Sequence, residues 1–181
     1  GVQPKATRAG LLEELDTWAR LGVEGHMEGT RPWVPYNTLL TEPSARLVGA
    51  LPAETVVMNS LTVNLHLLMV SFYRPTGLRT RIVIEDTAFP SDSYAVRSQA
   101  RLHGLNPDET VVRLRPRPGE DILRTEDVIS YLEAEGDRVA LVLFGGVNYL
   151  TGELMDIPTI TAAGRAAGAI VGWDLAHAVG N

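Results

Sequence analysis

Four short apolar runs, spaced by stretches of helix length, constrain this chain more than any other feature. They are RIVIED at Arg81–Asp86, ETVVRL at Glu109–Leu114, RVALVLFGG at Arg138–Gly146 and AIVGWDLAH at Ala169–His177. Runs of this length, rich in Val and Ile and bounded by turn residues, predict buried strands. Between them lie PSDSYAVRSQARLHG, TEDVISYLEAEG and DIPTITAAGRAAGA, which carry helix patterns. Ser91 or Ser93 is expected to satisfy free amides at the first helix start, Thr125 to cap the second, and Asp156 with Pro158 to open the third. Gly104 is expected to end the first helix. Strands alternating with helices require crossover connections, so the expected fold is α/β, a mainly parallel sheet with helices on both faces.

Upstream of the alternating pattern the organisation changes. LLEELDTWARL puts Leu11, Leu15 and Trp18 on one face of an amphipathic helix. The Gly- and Pro-containing stretch GVEGHMEGTRPWVPYN reads as loop, followed by a helix near Ser44–Leu51 and a short strand, TVVM. Asn59 or Ser60 is then placed to cap a helix through NSLTVNLHLLMVSFY that stops before Pro75. The expected division is residues 1–40 as an amino-terminal helix and loop, and 41–181 as part of the sheet domain.

Composition removes several function classes. A net charge of −6, with arginines scattered along the chain, offers no stripe for a phosphate backbone, so nucleic acid is not an expected partner. No apolar run approaches the roughly 18 residues that span a bilayer, and Gly1–Gly10 lacks the apolar centre of a signal peptide; a cytoplasmic setting is expected. The absence of cysteine excludes disulfides, thiolate metal ligands and a cysteine nucleophile, and no metal site is expected. Lysine occurs once, at Lys5.

Ligands of open parallel sheets bind outside the carboxyl ends of the strands, which gives priority to residues that follow each strand. Three segments stand out. In GWDLAHAVGN, Asp174 follows a strand and His177 comes three positions later; on spacing alone this is equally a capping aspartate. In NSLTVN, Leu61 and Thr62 open a helix whose free amides suit an anion, although a plain Ser or Thr cap reads the same. In Phe89-Pro90-Ser91-Asp92 a strand end meets a helix start, where a lone Phe-Pro otherwise suggests core packing. His26 lies in the polar loop, where histidines are more often solvated, and Arg31 with Trp33 reads as a packed ring beside a surface arginine.

The longer runs around these residues carry a resemblance. FGGVNYLTGELMDIPTITAAGRAAGAIVGWDLAHAVGN, MNSLTVNLHLLMVSFYRPT, EDTAFPSDSYAVRSQARLHGL and GHMEGTRPW together are similar to kynureninases, in the order expected of that family's amino-terminal part. The resemblance implies a pyridoxal 5'-phosphate (PLP) enzyme with the large-domain fold of the aminotransferase superfamily. Its activity would be hydrolysis of L-kynurenine, or 3-hydroxykynurenine, to an anthranilate and L-alanine. That reaction belongs to tryptophan catabolism and, in some organisms, to NAD synthesis. Carried over residue by residue, Leu61 and Thr62 would contact the cofactor phosphate. Phe89, Pro90, Ser91 and Asp92 would lie at the ring, Asp174 would pair with the pyridinium nitrogen, His177 would stand beside it, and His26 would face the substrate. A homodimer with shared active sites is the expected assembly.

Two departures accompany the resemblance. The family commonly has FSGV where this chain has Phe144-Gly145-Gly146-Val147, so Gly145 occupies a cofactor-side position without the usual hydroxyl. The Schiff-base lysine of the family lies downstream of the D-L-A-H motif, beyond Asn181, and Lys5 is not expected to replace it. The chain by itself is therefore expected to be inactive. The rival readings are a cysteine-desulfurase-like lyase of the same superfamily and a non-catalytic fragment.

Overall fold

The computed structural model describes residues 2–181, which fall into two compact units, one ending at Met58 and the other spanning Asn59–Asn181. The first unit contains α1 (Thr7–Leu21), a short 3-10 turn (Gly22–His26) and α2 (Thr38–Val48). α2 starts six residues earlier than the sequence suggests and contains Pro43. The Thr41 hydroxyl donates to the Asn37 carbonyl within its first turn. Thr55 is extended, but among the described residues no strand pairs with TVVM, which lies in no sheet; this corrects the expectation of a strand there.

The second unit holds α3 (Leu61–Phe72), β1 (Arg81–Glu85), α4 (Pro90–Leu102), the single turn α5 (Pro107–Thr110), β2 (Val111–Leu114), α6 (Thr125–Glu135), β3 (Val139–Gly145), α7 (Ile157–Ala166) and β4 (Ile170–Asp174). The four strands form one sheet in the order β2-β1-β3-β4, every pair parallel. β1 and β3 are buried along nearly their whole length, as central strands covered on both faces must be. Side chains alternate between two apolar layers. Ile82, Ile84, Leu141 and Leu143 pack with Leu65 and Met69 of α3, with Tyr73 just after it, and with Ala95 and Val96 of α4. Val83, Val142 and Phe144 pack with Val128 and Leu132 of α6 and Ile160 of α7. The expectation of a parallel sheet with helices on both faces is met.

Three expected caps differ in detail. Thr125 is the first residue of α6 and makes no side-chain cap bond. The Ser91 and Ser93 hydroxyls donate to Asp92 Oδ1 and to the Ala88 carbonyl instead of accepting from free amides. Pro90, at the first position of α4, removes one amide that would otherwise need a partner. Asp156 does cap α7, accepting from the Thr159 amide at 3.1 Å.

A candidate site at the strand ends

The strand order reverses between β1 and β3: β2 follows β1 on one side, and the chain then returns to place β3 on the other. The crevice outside the carboxyl ends at such a switch point is the usual ligand position in an open α/β sheet. Here the ends of β1, β3 and β4 are Glu85, Gly145 and Asp174. Gly145 and Asp174 are direct neighbours in the ladder, and the Gly146 amide donates to the Asp174 carbonyl at 2.8 Å. Asp92, in the first turn of α4, joins them, so a narrow recess collects three carboxyl groups together with Phe89, Tyr149 and His177.

Two of these acids are well buried, Glu85 at 4% and Asp92 at 5% exposure. Burial is the main force pushing the Asp92 carboxyl up, to about 7, and the hydrogen bond and charge of Asp174 push the same way. Two carboxyls in contact share a hydrogen bond only if one of them holds a proton. Burial also raises Glu85, with Asp174 adding to the effect, while the Gly145 amide opposes it. Glu85 Oε1 accepts that amide at 3.1 Å, and among the described residues Oε2 is buried with no hydrogen-bond partner. Among the described residues no lysine or arginine lines the recess. This donor set suits a ligand that brings positive charge.

The walls suit a flat ring. Phe89 and Tyr149 meet edge to face at 4.9 Å, and the His177 ring lies 5.8 Å from Phe89 and 6.1 Å from Tyr149. Asp174 Oδ1 accepts the Ala176 amide at 2.8 Å, which fixes the carboxylate in the turn that carries His177. The capping and the ligand readings of Asp174 thus coexist. Tyr149 is positioned by Asn148, a buried residue whose amide donates to Thr87 Oγ1 at 2.8 Å and whose Oδ1 accepts from Leu150 and Thr151. The sequence reading missed Glu85, Asn148 and Tyr149. The signal for them was their place at the end of β1 and in the turn that follows β3.

Of the residues singled out from sequence, Phe89, Asp92, Gly145, Asp174 and His177 line this recess. Pro90 and Ser91 belong to the same helix start, with the Ser91 hydroxyl on Asp92. Leu61 and Thr62 begin α3, whose Ser60 provides no side-chain cap, so the helix start is open to an anion. Leu61 and Asp174 both border a larger apolar cavity of about 410 Å³ between α3 and β4. Thr62 is exposed. His26 belongs to the first unit, exposed, with its ring edge-on to Trp33 at 5.2 Å. There Arg31 bridges Glu13 and Glu14, and the Trp33 indole donates to Glu14, the packed pair expected from sequence. Lys5 also lies in that unit. Among the described residues no cluster of metal-ligating side chains occurs, and no helix is long and apolar enough to cross a membrane.

Comparison with known proteins gives the acid-and-ring recess its context. No family profile matches the chain. Curated relatives match it from end to end: a kynureninase of Salinispora tropica is 78% identical over all 181 residues, one of Koribacter versatilis 58%, and one of Rattus norvegicus 50%. The chain is similar to kynureninases along its whole length. It spans 42%, 43% and 39% of those three relatives, less than half of each. Solved structures show the same fold at low identity. A cystine C–S lyase in complex with cysteine persulfide superposes with a TM-score of 0.72 at 13% identity, covering 98% of this chain and 45% of that one. A PLP-bound C–S lyase from Staphylococcus hominis gives 0.65 at 14%, covering 95% and 42%. The chain therefore shares its fold with the matching part of these two structures.

The charge arrangement has a measurable consequence. Asp92 has an ordinary value of 3.8 and a folded value raised to about 7. Its contribution to stability is therefore fully present below the lower value and lost as pH rises through the upper one. With no ligand bound, the protein is expected to resist denaturant better at about pH 5 than at about pH 8, and Asp92→Asn is expected to flatten that dependence. Denaturation midpoints measured at the two pH values check it. A wild-type midpoint that rises with pH would contradict the placement of the shared proton.

Proposed function

We propose that the protein carrying this segment is a kynureninase that uses PLP to hydrolyse L-kynurenine or its 3-hydroxy form, releasing an anthranilate and L-alanine. The observation that carries this reading is the switch-point recess, in which aromatic rings, His177 and a cluster of three acids are collected in a chain similar to kynureninases throughout. When bound, PLP supplies an electron sink for the carbanion left by carbon–carbon cleavage. In this reading Asp174 holds the charge on the ring nitrogen, with Asp92 beside it sharing a proton. Phe89 lies against the ring face, steadied by Pro90 and Ser91 at the start of α4. Leu61 and Thr62 offer the α3 helix start to the phosphate. His177 would stand beside the ring, and His26 would face the substrate.

The same reading makes residues 1–40 a substrate-side element and 41–181 a partial cofactor domain, in a cytoplasmic homodimer serving tryptophan breakdown and NAD synthesis. The lysine that would hold the cofactor is expected elsewhere in the full-length protein, because Lys5 stands far in sequence from every strand end. The test is fluorescence of released anthranilate from kynurenine by the full-length protein with and without added PLP, with cysteine as the competing substrate. Release that depends on PLP supports the assignment. Sulfide release from cysteine with no action on kynurenine would move the protein to the desulfurase-like lyases.

A further inference from the structure

Phe89 and Tyr149 meet edge to face at 4.9 Å in the recess, yet they are held in different ways. Phe89 is fixed by α4, because its carbonyl accepts the Asp92 and Ser93 amides at 3.0 and 3.1 Å. Tyr149 lies in the turn between β3 and α7 and depends on its neighbour, Asn148, which is 4% exposed. Asn148 Oδ1 accepts the Leu150 and Thr151 amides at 2.9 and 3.1 Å, and its backbone pairs with Glu153 and Gly152. Those bonds are local and would build the turn by themselves. An aspartate would accept the same two amides. The group that the turn does not use is the side-chain amide nitrogen, and it donates to Thr87 Oγ1 at 2.8 Å, 61 positions away. Thr87 stands two residues before Phe89, and Asn148 one residue before Tyr149, so this bond ties the carriers of the two rings together.

We propose that Asn148 is a positioning residue for the cofactor: its bond to Thr87 locks the turn carrying Tyr149 to the loop carrying Phe89, and so holds the aromatic wall of the recess in one place when PLP binds. Both rings are partly exposed, Phe89 at 39% and Tyr149 at 43%, so packing alone does not fix their relative position. A buried bond between two polar side chains supplies that constraint, and it is directional where ring contacts are not. A preorganised wall also lowers the ordering cost that a ring ligand would otherwise meet on binding. Asn148 acts on PLP only through Tyr149 and Thr87, and the inference rests on the PLP reading given above.

The test uses the full-length protein and reads PLP affinity by titration of the visible absorption band, with the circular dichroism of that band as a second readout. A bound ring shows such dichroism only as far as its surroundings hold it in one orientation. Thr87→Val breaks the bond and leaves the Asn148 turn intact. It is expected to weaken PLP binding by about threefold to tenfold, the worth of one neutral hydrogen bond, and to reduce the dichroism. Thr87→Ser returns the hydroxyl and is expected to return both signals. In an Asn148→Ala background Thr87→Val is expected to do nothing more, because the bond is already gone. If Asn148→Ala does not fold, the Val and Ser variants of Thr87 decide the matter by themselves. Thr87→Val with unchanged affinity and dichroism, Thr87→Ser as impaired as Val, or additive losses in the double variant overturns the proposal. Failure of the unsubstituted protein to take up PLP at all would instead remove the cofactor reading, and this inference with it.

Discussion

Asp174→Asn in the full-length protein is expected to lower turnover on kynurenine by about 10²–10³-fold, the range seen when one preorganised electrostatic contact to a developing charge is lost. The substitution keeps the shape of the side chain and its acceptor for the Ala176 amide, so the turn after β4 should survive. What it removes is negative charge at the strand end. KM should change less than the turnover number, because a charge partner for the ring acts on the chemical step more than on substrate capture. A variant with near-normal turnover would take Asp174 out of this role.

The neighbouring acid adds a second arm. Asp92 is held up by burial first and by Asp174 second. Removing the Asp174 charge should let Asp92 ionise more readily, and a newly ionised Asp92 would partly stand in for the lost carboxylate. Asp92→Asn combined with Asp174→Asn is therefore expected to fall below Asp174→Asn alone by more than Asp92→Asn falls below wild type. Independent sites would give additive losses; a shared proton would not. Steady-state rates for the four proteins decide between them.

Much of this architecture is legible in the sequence because it depends on local patterns. RIVIE, VVRL, VALVLFG and IVGWD are short, apolar and rich in branched side chains, and each became a strand. TVVM has the same composition and did not, because a strand needs a neighbour as well as a propensity. Helix starts followed the same division. Asp156 was readable as a cap, whereas Ser91 gave way to Pro90 at the first position of α4, and Thr125 lies one residue inside α6, after Arg124. At the site, Asp92, Gly145 and Asp174 came from motifs that lie far apart in the chain. Glu85 stayed hidden because its side chain finds its partner 60 positions later, a pairing created by the β1–β3 register and by no local pattern. Tyr149 was obscured in the same way: its ring position depends on Asn148 bonding back to Thr87.

Phe144→Ala is expected to destabilise the protein by about 3–5 kcal/mol, whereas Tyr94→Ala should change stability by no more than about 0.5 kcal/mol. Both remove an aromatic ring, and burial separates them. Phe144 is 1% exposed in the layer formed with Val128, Leu132 and Ile160, where its ring approaches Trp173 at 6.1 Å. Tyr94 is 75% exposed on α4, and alanine favours a helix. A cavity under β3 cannot collapse easily, because Val142 on the same strand and Val83 on β1 are both fully buried and hold the surrounding sheet in place. Phe144 also immediately precedes Gly145, so loosening it should slacken the strand end on which Glu85 and Asp174 converge. PLP affinity should then fall along with stability in Phe144→Ala and stay unchanged in Tyr94→Ala. Denaturant midpoints and PLP titrations on both variants test the pair; equal losses of stability would mean that β3 is not the centre of this fold.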